Sequence, residues 1–373
     1  MEALTVLHLN SYFFTNKIHH TLVSKLNEKG LNQIILIPVE KDAKDTIESS
    51  EGAARFIPAR IFQKNDRIFW PLKVYKYWKI TRKILQKEKV DLIHAHTLFI
   101  NGSVAYLAKK YFGIPYIVTV RNSDINTYLA RFSFLRHLAV KILDEAEYVT
   151  TLSRSYFDFH LRKYLKDENI GRLEKKYRLI PNGAHDFWFE NLYKNQGIQS
   201  EINLLFVGLI ADNKNLESVI KTYHELRKQY PSVKLHIVGD GRRYEEFKSR
   251  YASDGIVFYG RIKDKNALLS VYRKSHILFV PSLTESFGVV YVEAMTQSLP
   301  VIFTKNQGFD GFFEDGLYGF AVSPLNIEEM TQIIATIIGN YDAFSENAYE
   351  YSRHFRWETP VENLVNLYLT TKK

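Results

Sequence analysis

The chain is predicted to be an α/β protein built from two doubly wound domains, and three observations predict it. Its 373 residues exceed what a single hydrophobic core ordinarily organises. Short apolar runs bounded by glycine and polar residues alternate with amphipathic stretches, the pattern of parallel βαβ units. That alternation restarts at INLLFVG, from Ile202, just after the polar stretch YKNQGIQSE from Tyr193 to Glu201, which is the best linker in the chain.

Composition sets the outer bounds. Hydrophobic content of 46% and charge of 24% are globular values and argue against disorder. There is no cysteine, which excludes disulfides, thiolate metal sites and cysteine nucleophiles. The opening MEALTVLHLN starts acidic and lacks the basic segment and long apolar core of a signal peptide. No apolar run approaches the ~18 residues of a membrane span. A cytoplasmic location is therefore expected. The net charge of +9 is uneven: residues 1–186 carry 30 Lys and Arg against 19 Asp and Glu, the remainder 20 against 22. A basic half beside a near-neutral half is suited to an anionic partner, whether lipid headgroups, nucleic acid or an acidic acceptor. A merely solvated basic surface gives the same count.

Taken in order, Leu4–Leu9 reads as a strand, followed by a helix closed by Gly30 and a second strand at Asn32–Val39. The loop NSYFFTNKIHH after the first strand has no glycine. Phe69–Lys89 places Trp70, Tyr75, Tyr77 and Trp78 among seven or more basic residues at helical spacing. Such a helix either lies in a membrane interface or packs its aromatics inward with its lysines in water. No nucleic-acid-binding motif accompanies the charge, so nucleic acid is not expected as a partner. Val90–His96 is a strand whose period of two puts His94 and His96 on one face; with no third ligand nearby in sequence, no metal is expected there. Ile114–Val120 is the next strand and runs into Arg121-Asn122-Ser123-Asp124. Ala146–Leu152 and Tyr177–Ile180 follow. In the second half, strands are expected at Ile202–Val207, Lys234–Val238, Ile277–Val280 and Val301–Thr304. No internal repeat is evident.

The most informative stretch is Pro281–Pro300, PSLTESFGVVYVEAMTQSLP. It links two buried apolar runs through a loop and a helix opening at Ser286-Phe287-Gly288. A helix opening beyond the carboxyl end of a strand directs N–H groups and a positive dipole end at a ligand, most simply a phosphate. Gly288, lacking Cβ, permits close approach. Glu285 lies in the loop, and Glu293 stands eight residues on, about two helical turns. Carboxylates beside a phosphate site suit hydroxyl donors, so a ligand with central phosphates and hydroxylated rings at both ends fits. Taken alone, both glutamates could simply complement the helix dipole.

In full, PSLTESFGVVYVEAM…LPVI resembles the donor-site signature of family-four retaining glycosyltransferases (glycosyl transferases group 1), enzymes of the GT-B fold. The resemblance runs through VDLIHAHT, the Pro181-Asn182-Gly183 turn, Gly239-Asp240-Gly241, the segment from Val257 to Ile262 and the closing Phe355-Arg356-Trp357-Glu358. It implies two Rossmann-like domains facing across a cleft: 1–187 for the acceptor, 188–345 for the donor, and 346–373 crossing back onto the first. It further implies metal-independent transfer of a sugar, with retention, from a nucleotide-sugar to a hydroxyl of a glycan or lipid-linked acceptor. Cell-envelope polysaccharide synthesis is the implied setting, with possible peripheral contact to anionic membrane at the inner face of the plasma membrane. No cofactor is implied beyond a UDP- or GDP-sugar co-substrate.

Residue by residue, Gly208 and Lys214 fall on the family's diphosphate loop, and Arg261 and Ile262 on the segment beside the base. Ser286 would lie in the donor site, and the amides of Phe287, Gly288 and Val289 would meet the phosphates. Glu285 would orient the transferred sugar and, with Lys214, carry the catalysis; Glu293 would hold the ribose. His96, Arg121 and Asp124 fall on the acceptor side. The chain departs from the family at Leu209, where an arginine is usual, and at Arg121-Asn122, where His-Gly is usual. Those departures keep a second expectation open, a catalytically impaired homologue that binds a nucleotide or a partner. A sugar phosphorylase or epimerase on the same fold is another. A Rossmann oxidoreductase is disfavoured, because no G-x-G-x-x-G follows any strand.

Overall fold

The computed structural model describes residues 3–14, 18–42, 50–63 and 70–372. Phe69 and residues 15–17 of the glycine-free loop lie outside them. Backbone contacts divide the chain into two compact units. Unit 1 is residues 1–152, 156–182 and 357–373; unit 2 is residues 153–155 and 183–356.

Unit 1 holds one sheet. Its strands are β1 Thr5–Leu9, β2 Asn32–Glu40, β3 Ser50–Glu51, β4 Ala54–Phe62, β5 Leu92–Ala95, β6 Tyr116–Val120, β7 Tyr148–Thr151 and β8 Tyr177–Leu179, in the order β3-β4-β2-β1-β5-β6-β7-β8. All pairings are parallel except the two-residue β3 against β4. The chain winds one way from β1 to β4 and the other way from β5 to β8, so the topological switch falls between β1 and β5. Strands buried on both faces read as continuous apolar runs, and QIILIPV and LIHA are such runs.

Sequence patterning did not anticipate β4. Pro58 inside ARFIPARIF argues against a strand, yet it pairs with Ile37 at the sheet's second strand from the edge. The helix Trp70–Leu85 buries Tyr77, Thr81, Ile84 and Leu85. The Tyr77 hydroxyl donates to the Leu36 carbonyl at 2.8 Å, while Tyr75 is 61% exposed. The C-terminal helix Glu358–Thr371 lays Val361, Leu364, Leu367 and Tyr368 against Val6, Leu92 and Ile117 of the sheet. Hence the final residues belong to the first unit.

Unit 2 is a second parallel sheet: β9 Ile202–Val207, β10 Val233–Val238, β11 Ile256–Gly260, β12 Ile277–Phe279, β13 Val301–Thr304 and β14 Gly319–Val322, in the order β11-β10-β9-β12-β13-β14. Its switch lies between β9 and β12. The expected linker, Tyr193–Glu201, is not a free connector but part of this unit. Tyr193 N–H donates to the Thr296 carbonyl at 3.1 Å, Ser298 Oγ donates to the Tyr193 carbonyl at 2.7 Å and the Asn195 amide to the Ser275 carbonyl at 3.0 Å. The chain passes between units earlier, at Asn182 and Gly183, and returns later, at Arg356 and Trp357. The helix Tyr341–Ser352 buries Tyr341, Ser345, Ala348 and Ser352, and Ser345 Oγ donates to the Ser298 carbonyl, which keeps that helix in unit 2.

Candidate functional site

In unit 2 the loops leaving β9 and β12 meet above the switch. The β9 loop runs Gly208-Leu209-Ile210-Ala211 into a single 3-10 turn, Asp212–Lys214. Asn215 then adopts a left-handed conformation, φ 57°, and its buried side-chain amide donates to the Pro281 and Pro324 carbonyls. That anchor fixes the direction of the preceding residue. Lys214 Nζ meets Glu285 Oε2 at 2.5 Å, with the two side chains only 19% and 15% exposed. The cation and carboxylate predicted for different parts of a ligand are thus paired with each other.

The second loop is tightly held. Glu285 N–H donates to Gln307 Oε1 at 3.1 Å, Ser286 N–H to Glu285 Oε1 at 3.1 Å and Gly308 N–H to the Glu285 carbonyl at 2.9 Å. Phe287 buries its ring among Phe309, Phe312 and Phe355. Gly288 caps the helix Val289–Met295 with φ 82°, and a Cβ there would come within 2.2 Å of the Tyr291 ring. Gly308 lies flat on the Ser286–Phe287 peptide, where a Cβ would sit 2.4 Å from Phe287 N. The 305–311 loop is therefore packed onto the 285–288 loop.

Glu293 lies in the second turn of that helix rather than two turns from its start, because Glu285 to Gly288 are not helical. Its Oε2 accepts from the Tyr272 hydroxyl at 3.0 Å. Burial pushes its carboxyl up to about 7, against the pull of hydrogen bonds from Tyr272 and Trp188 and of the Lys265 charge. Arg261 and Ile262 follow β11, the arginine exposed and the isoleucine half-buried. Leu209 is 55% exposed. The arginines that contact its loop are Arg242 and Arg243, both paired with Asp212. Sequence reasoning missed them; the signal was Arg-Arg directly after Gly239-Asp240-Gly241.

Unit 1 carries a different chemistry at its switch. His8 on β1 and His94 on β5 are register partners, and His96 follows β5. His8 Nδ1 and His96 Nε2 share a hydrogen bond at 3.0 Å, and the rings of His94 and His96 stack at 4.0 Å. His94 uses both nitrogens, one with the Tyr368 hydroxyl at 2.6 Å and one with Thr119 Oγ1 at 2.9 Å. Ligand atoms of His8, His94 and His96 all lie within 4.8 Å of one another. The missing third imidazole thus comes from a distant strand. Stacked rings with both nitrogens of His94 engaged are nonetheless poorly aimed at one ion, whose ligand lone pairs must converge. Burial holds these imidazoles far below the usual range, His8 at about 3, so the cluster is neutral.

Arg121 and Asp124 begin the segment after β6. The Asp124 carboxylate is buried and accepts backbone N–H groups of Leu98 at 2.9 Å, Arg121 at 2.9 Å and Phe99 at 3.4 Å. It is occupied with the backbone rather than presented to an acceptor. Arg121 Nε donates to the His96 carbonyl at 3.2 Å. Arg121, His94, His96, Thr119, Thr150 and Asn182 line one pocket, closed on its apolar side by Trp357 and Leu364 among others.

Comparison with known proteins gives this geometry a family. Residues 189–355 match the model of glycosyl transferases group 1, and residues 17–183 match that of a glycosyl transferase 4-like domain. An uncharacterized glycosyltransferase of Methanocaldococcus jannaschii is 30% identical over 78% of this chain and 78% of its own length. An alpha-monoglucosyldiacylglycerol synthase of Acholeplasma laidlawii is 24% identical over 92% of this chain and 90% of its own. The Anabaena protein HepE, solved in complex with UDP and glucose, superposes with a TM-score of 0.65 over 97% of this chain and 98% of that one, at 16% identity. Two parallel sheets with helices, the GT-B arrangement, are common ground with that neighbour. The chain belongs to the group 1, family-four glycosyltransferases.

Proposed function

We propose that this glycosyltransferase moves a sugar from a UDP- or GDP-sugar, bound by unit 2, to a hydroxyl of a lipid-linked or glycan acceptor held by unit 1. Transfer proceeds with retention and without a metal. The observation that carries the donor assignment is the desolvated Lys214–Glu285 pair above the β9/β12 switch, where doubly wound sheets bind ligands. A bound donor separates the pair by offering each member a better partner. The diphosphate takes Lys214, and sugar hydroxyls donate to Glu285.

As the glycosidic bond breaks, negative charge grows on the leaving diphosphate. Lys214 and the backbone amides around Gly288 stabilise it, an electrostatic contribution that is usually the largest in catalysis. Glu293, ionised when it accepts from ribose hydroxyls, holds the nucleoside. The acceptor class is supported by the diacylglycerol-glycolipid enzyme among the relatives and by the excess of basic residues in 1–186. The setting is the inner face of the membrane; no helix among the described residues is long and apolar enough to cross one.

The test is turnover of UDP- and GDP-sugars against diacylglycerol, monoglycosyl diacylglycerol and polyprenyl-phosphate acceptors. The anomeric configuration of the product is read by NMR. Tight nucleotide binding without transfer to any acceptor would favour an impaired homologue, which Leu209 makes the second reading. An inverted product would overturn the assigned stereochemistry.

A further inference from the structure

We infer that Tyr272 and Trp188 are positioning residues that orient the Glu293 carboxylate and so make the donor site select a nucleotide whose ribose carries both its hydroxyls. This rests on the placement of ribose at Glu293 proposed above and extends it to the two side chains behind that residue.

Three helices of unit 2 meet at this carboxylate. Glu293 lies on the helix Val289–Met295, Tyr272 on Lys265–Arg273 and Trp188 on Asp186–Glu190. Tyr272 and Trp188 are buried, at 0% and 3% exposure, and their rings meet edge to face at 5.2 Å. A buried phenol and a buried indole each need a partner for their one donor. Both find it in Glu293. The Tyr272 hydroxyl donates to Oε2 at 3.0 Å, and Trp188 gives a second side-chain hydrogen bond. Thr296 Oγ1 donates to the Glu293 carbonyl at 2.6 Å, which holds the backbone beneath. Side chains locked by packing and by hydrogen bonds of their own are what keep a site residue in a fixed geometry.

Two neutral donors do not exhaust a carboxylate. Ionised, it accepts at about four sites, so about two remain. Glu293 is only partly buried, which leaves one side of it open, and the adjacent hydroxyls of a ribose supply two donors. Were the acceptance from Tyr272 and Trp188 its whole task, a neutral amide oxygen would perform it without the cost of desolvating a charge. No ion pair joins Glu293 to a cation among the described residues. The charge of Lys265 reaches it, but Lys265 Nζ itself meets His185 Nε2 at 2.8 Å. Arg273, on the same helix as Tyr272, is taken by the Gln297 side chain and the Asn191 carbonyl. Neutral donors thus aim the carboxylate and leave its charge for a further donor from outside.

The test uses the full chain. UDP and GDP are titrated by calorimetry beside their 2′,3′-dideoxy counterparts, and the ratio of the two affinities is followed across the pH at which Glu293 ionises, about 7. Each pair shares its terminal phosphate, so ionisation of that group cancels in the ratio. Wild type should prefer the ribonucleotide by roughly 10- to 100-fold above that pH, the range for charge-assisted bonds, and lose the preference below it. Tyr272→Phe removes one hydroxyl and keeps the ring. It should cut the preference at neutral pH by about 3- to 10-fold and move its rise to higher pH, because a donor to the ionised form is gone. Affinity for the dideoxy nucleotide should stay at the wild-type value, which also reports that the variant is folded. Trp188→Phe should act alike, and Tyr272→Phe decides alone if the smaller ring unfolds unit 2. Glu293→Gln should abolish the preference at every pH. A preference retained in Glu293→Gln, or no nucleotide binding to wild type, overturns the ribose placement and the inference with it. A preference lost in Glu293→Gln but unchanged in size and pH midpoint in Tyr272→Phe overturns the inference alone. So does an equal loss of both nucleotides in Tyr272→Phe, which would mark a merely structural role.

Discussion

Breaking the Lys214–Glu285 pair should have opposite consequences for the empty and the loaded protein, and a double-mutant cycle can separate them. In the empty protein, Lys214→Met leaves a carboxylate that is 15% exposed without its cation. Breaking a fully buried pair costs about 3–5 kcal/mol; the residual water access here lowers the expectation to about 2–3 kcal/mol. Glu285→Gln strands a lysine with a flexible stem that can turn toward solvent, so it should cost less, about 1–2 kcal/mol. The cycle with the double variant should give a coupling of about 1–3 kcal/mol, measured by urea unfolding of unit 2 followed by fluorescence. In the loaded protein the two variants diverge. Lys214→Met loses a charge-assisted bond to the diphosphate, worth about 1.5–3 kcal/mol, so UDP should bind roughly 10- to 100-fold more weakly by calorimetry. Glu285→Gln releases Lys214 from its internal partner. UDP affinity should then hold or rise, while transfer of the sugar falls strongly. Equal losses of UDP affinity in both variants would refute the reasoning, because Glu285 would then be positioning Lys214 rather than waiting for the sugar.

Three further outcomes are expected. Glu293 is raised from an ordinary glutamate value near 4.5 to about 7, so its contribution to stability is full below about pH 4.5 and is lost as pH rises through about 7. Ribose binding needs the ionised form, so nucleoside diphosphate affinity should rise through the same window. In Glu293→Gln that rise should be absent, and a wild-type pH profile in the variant would remove Glu293 from the ribose. Gly308→Ala should destabilise unit 2 by about 1–3 kcal/mol and weaken UDP binding, because the added Cβ meets backbone at 2.4 Å and must displace the 285–288 loop; unchanged melting and binding would show the loop is not held there. Binding to phosphatidylglycerol vesicles should weaken steeply with salt, screening lengths being about 8 Å at 0.15 M, and should drop in Tyr75→Ser together with Lys79→Gln on the helix Trp70–Leu85. Indifference to anionic lipid would leave that face an ordinary solvated surface.

The elements that read clearly from sequence are those in which one local signal dominates. Apolar runs such as Ile277–Phe279 and Val301–Thr304 could hardly be anything but buried strands, while the helix expected to open at Ser286-Phe287-Gly288 begins at Val289, with Gly288 as its cap. Strand β4 was hidden by Pro58, whose cost a position near the sheet edge makes tolerable. The polar stretch 193–201 read as a linker because composition cannot reveal that its carbonyls and amides would be taken up by Thr296, Ser298 and Ser275. The same limit applies to the sites. Lys214 and Glu285 were each legible by motif, but their pairing across 71 positions was not. His8 carried no signal at all, since a lone histidine in a strand acquires meaning only when register sets it beside His94.

The two switch points also explain how one fold can present two kinds of pocket. In unit 2, the strands bracketing the switch feed loops carrying opposite charges, and the loops satisfy one another until a ligand with both phosphates and hydroxyls intervenes. Such a site is stable when empty and discriminates, because a ligand offering only one of the two groups leaves the other charge unpaired at a cost of about 1–3 kcal/mol or more. In unit 1, the bracketing strands instead carry His8 and His94, held neutral by burial, with Arg121 close to His96. Neutral imidazoles can sit back to back without counter-ions where lysines could not. Arg121 stands beside them, opposed by the buried Asp124 carboxylate. The loop that carries Leu209 in place of the family's arginine still has Lys214 within it and Arg242 and Arg243 paired to its Asp212. If a diphosphate meets Lys214 as proposed, UDP affinity should fall as ionic strength rises, and calorimetry with UDP at increasing chloride that showed no such fall would count against that placement.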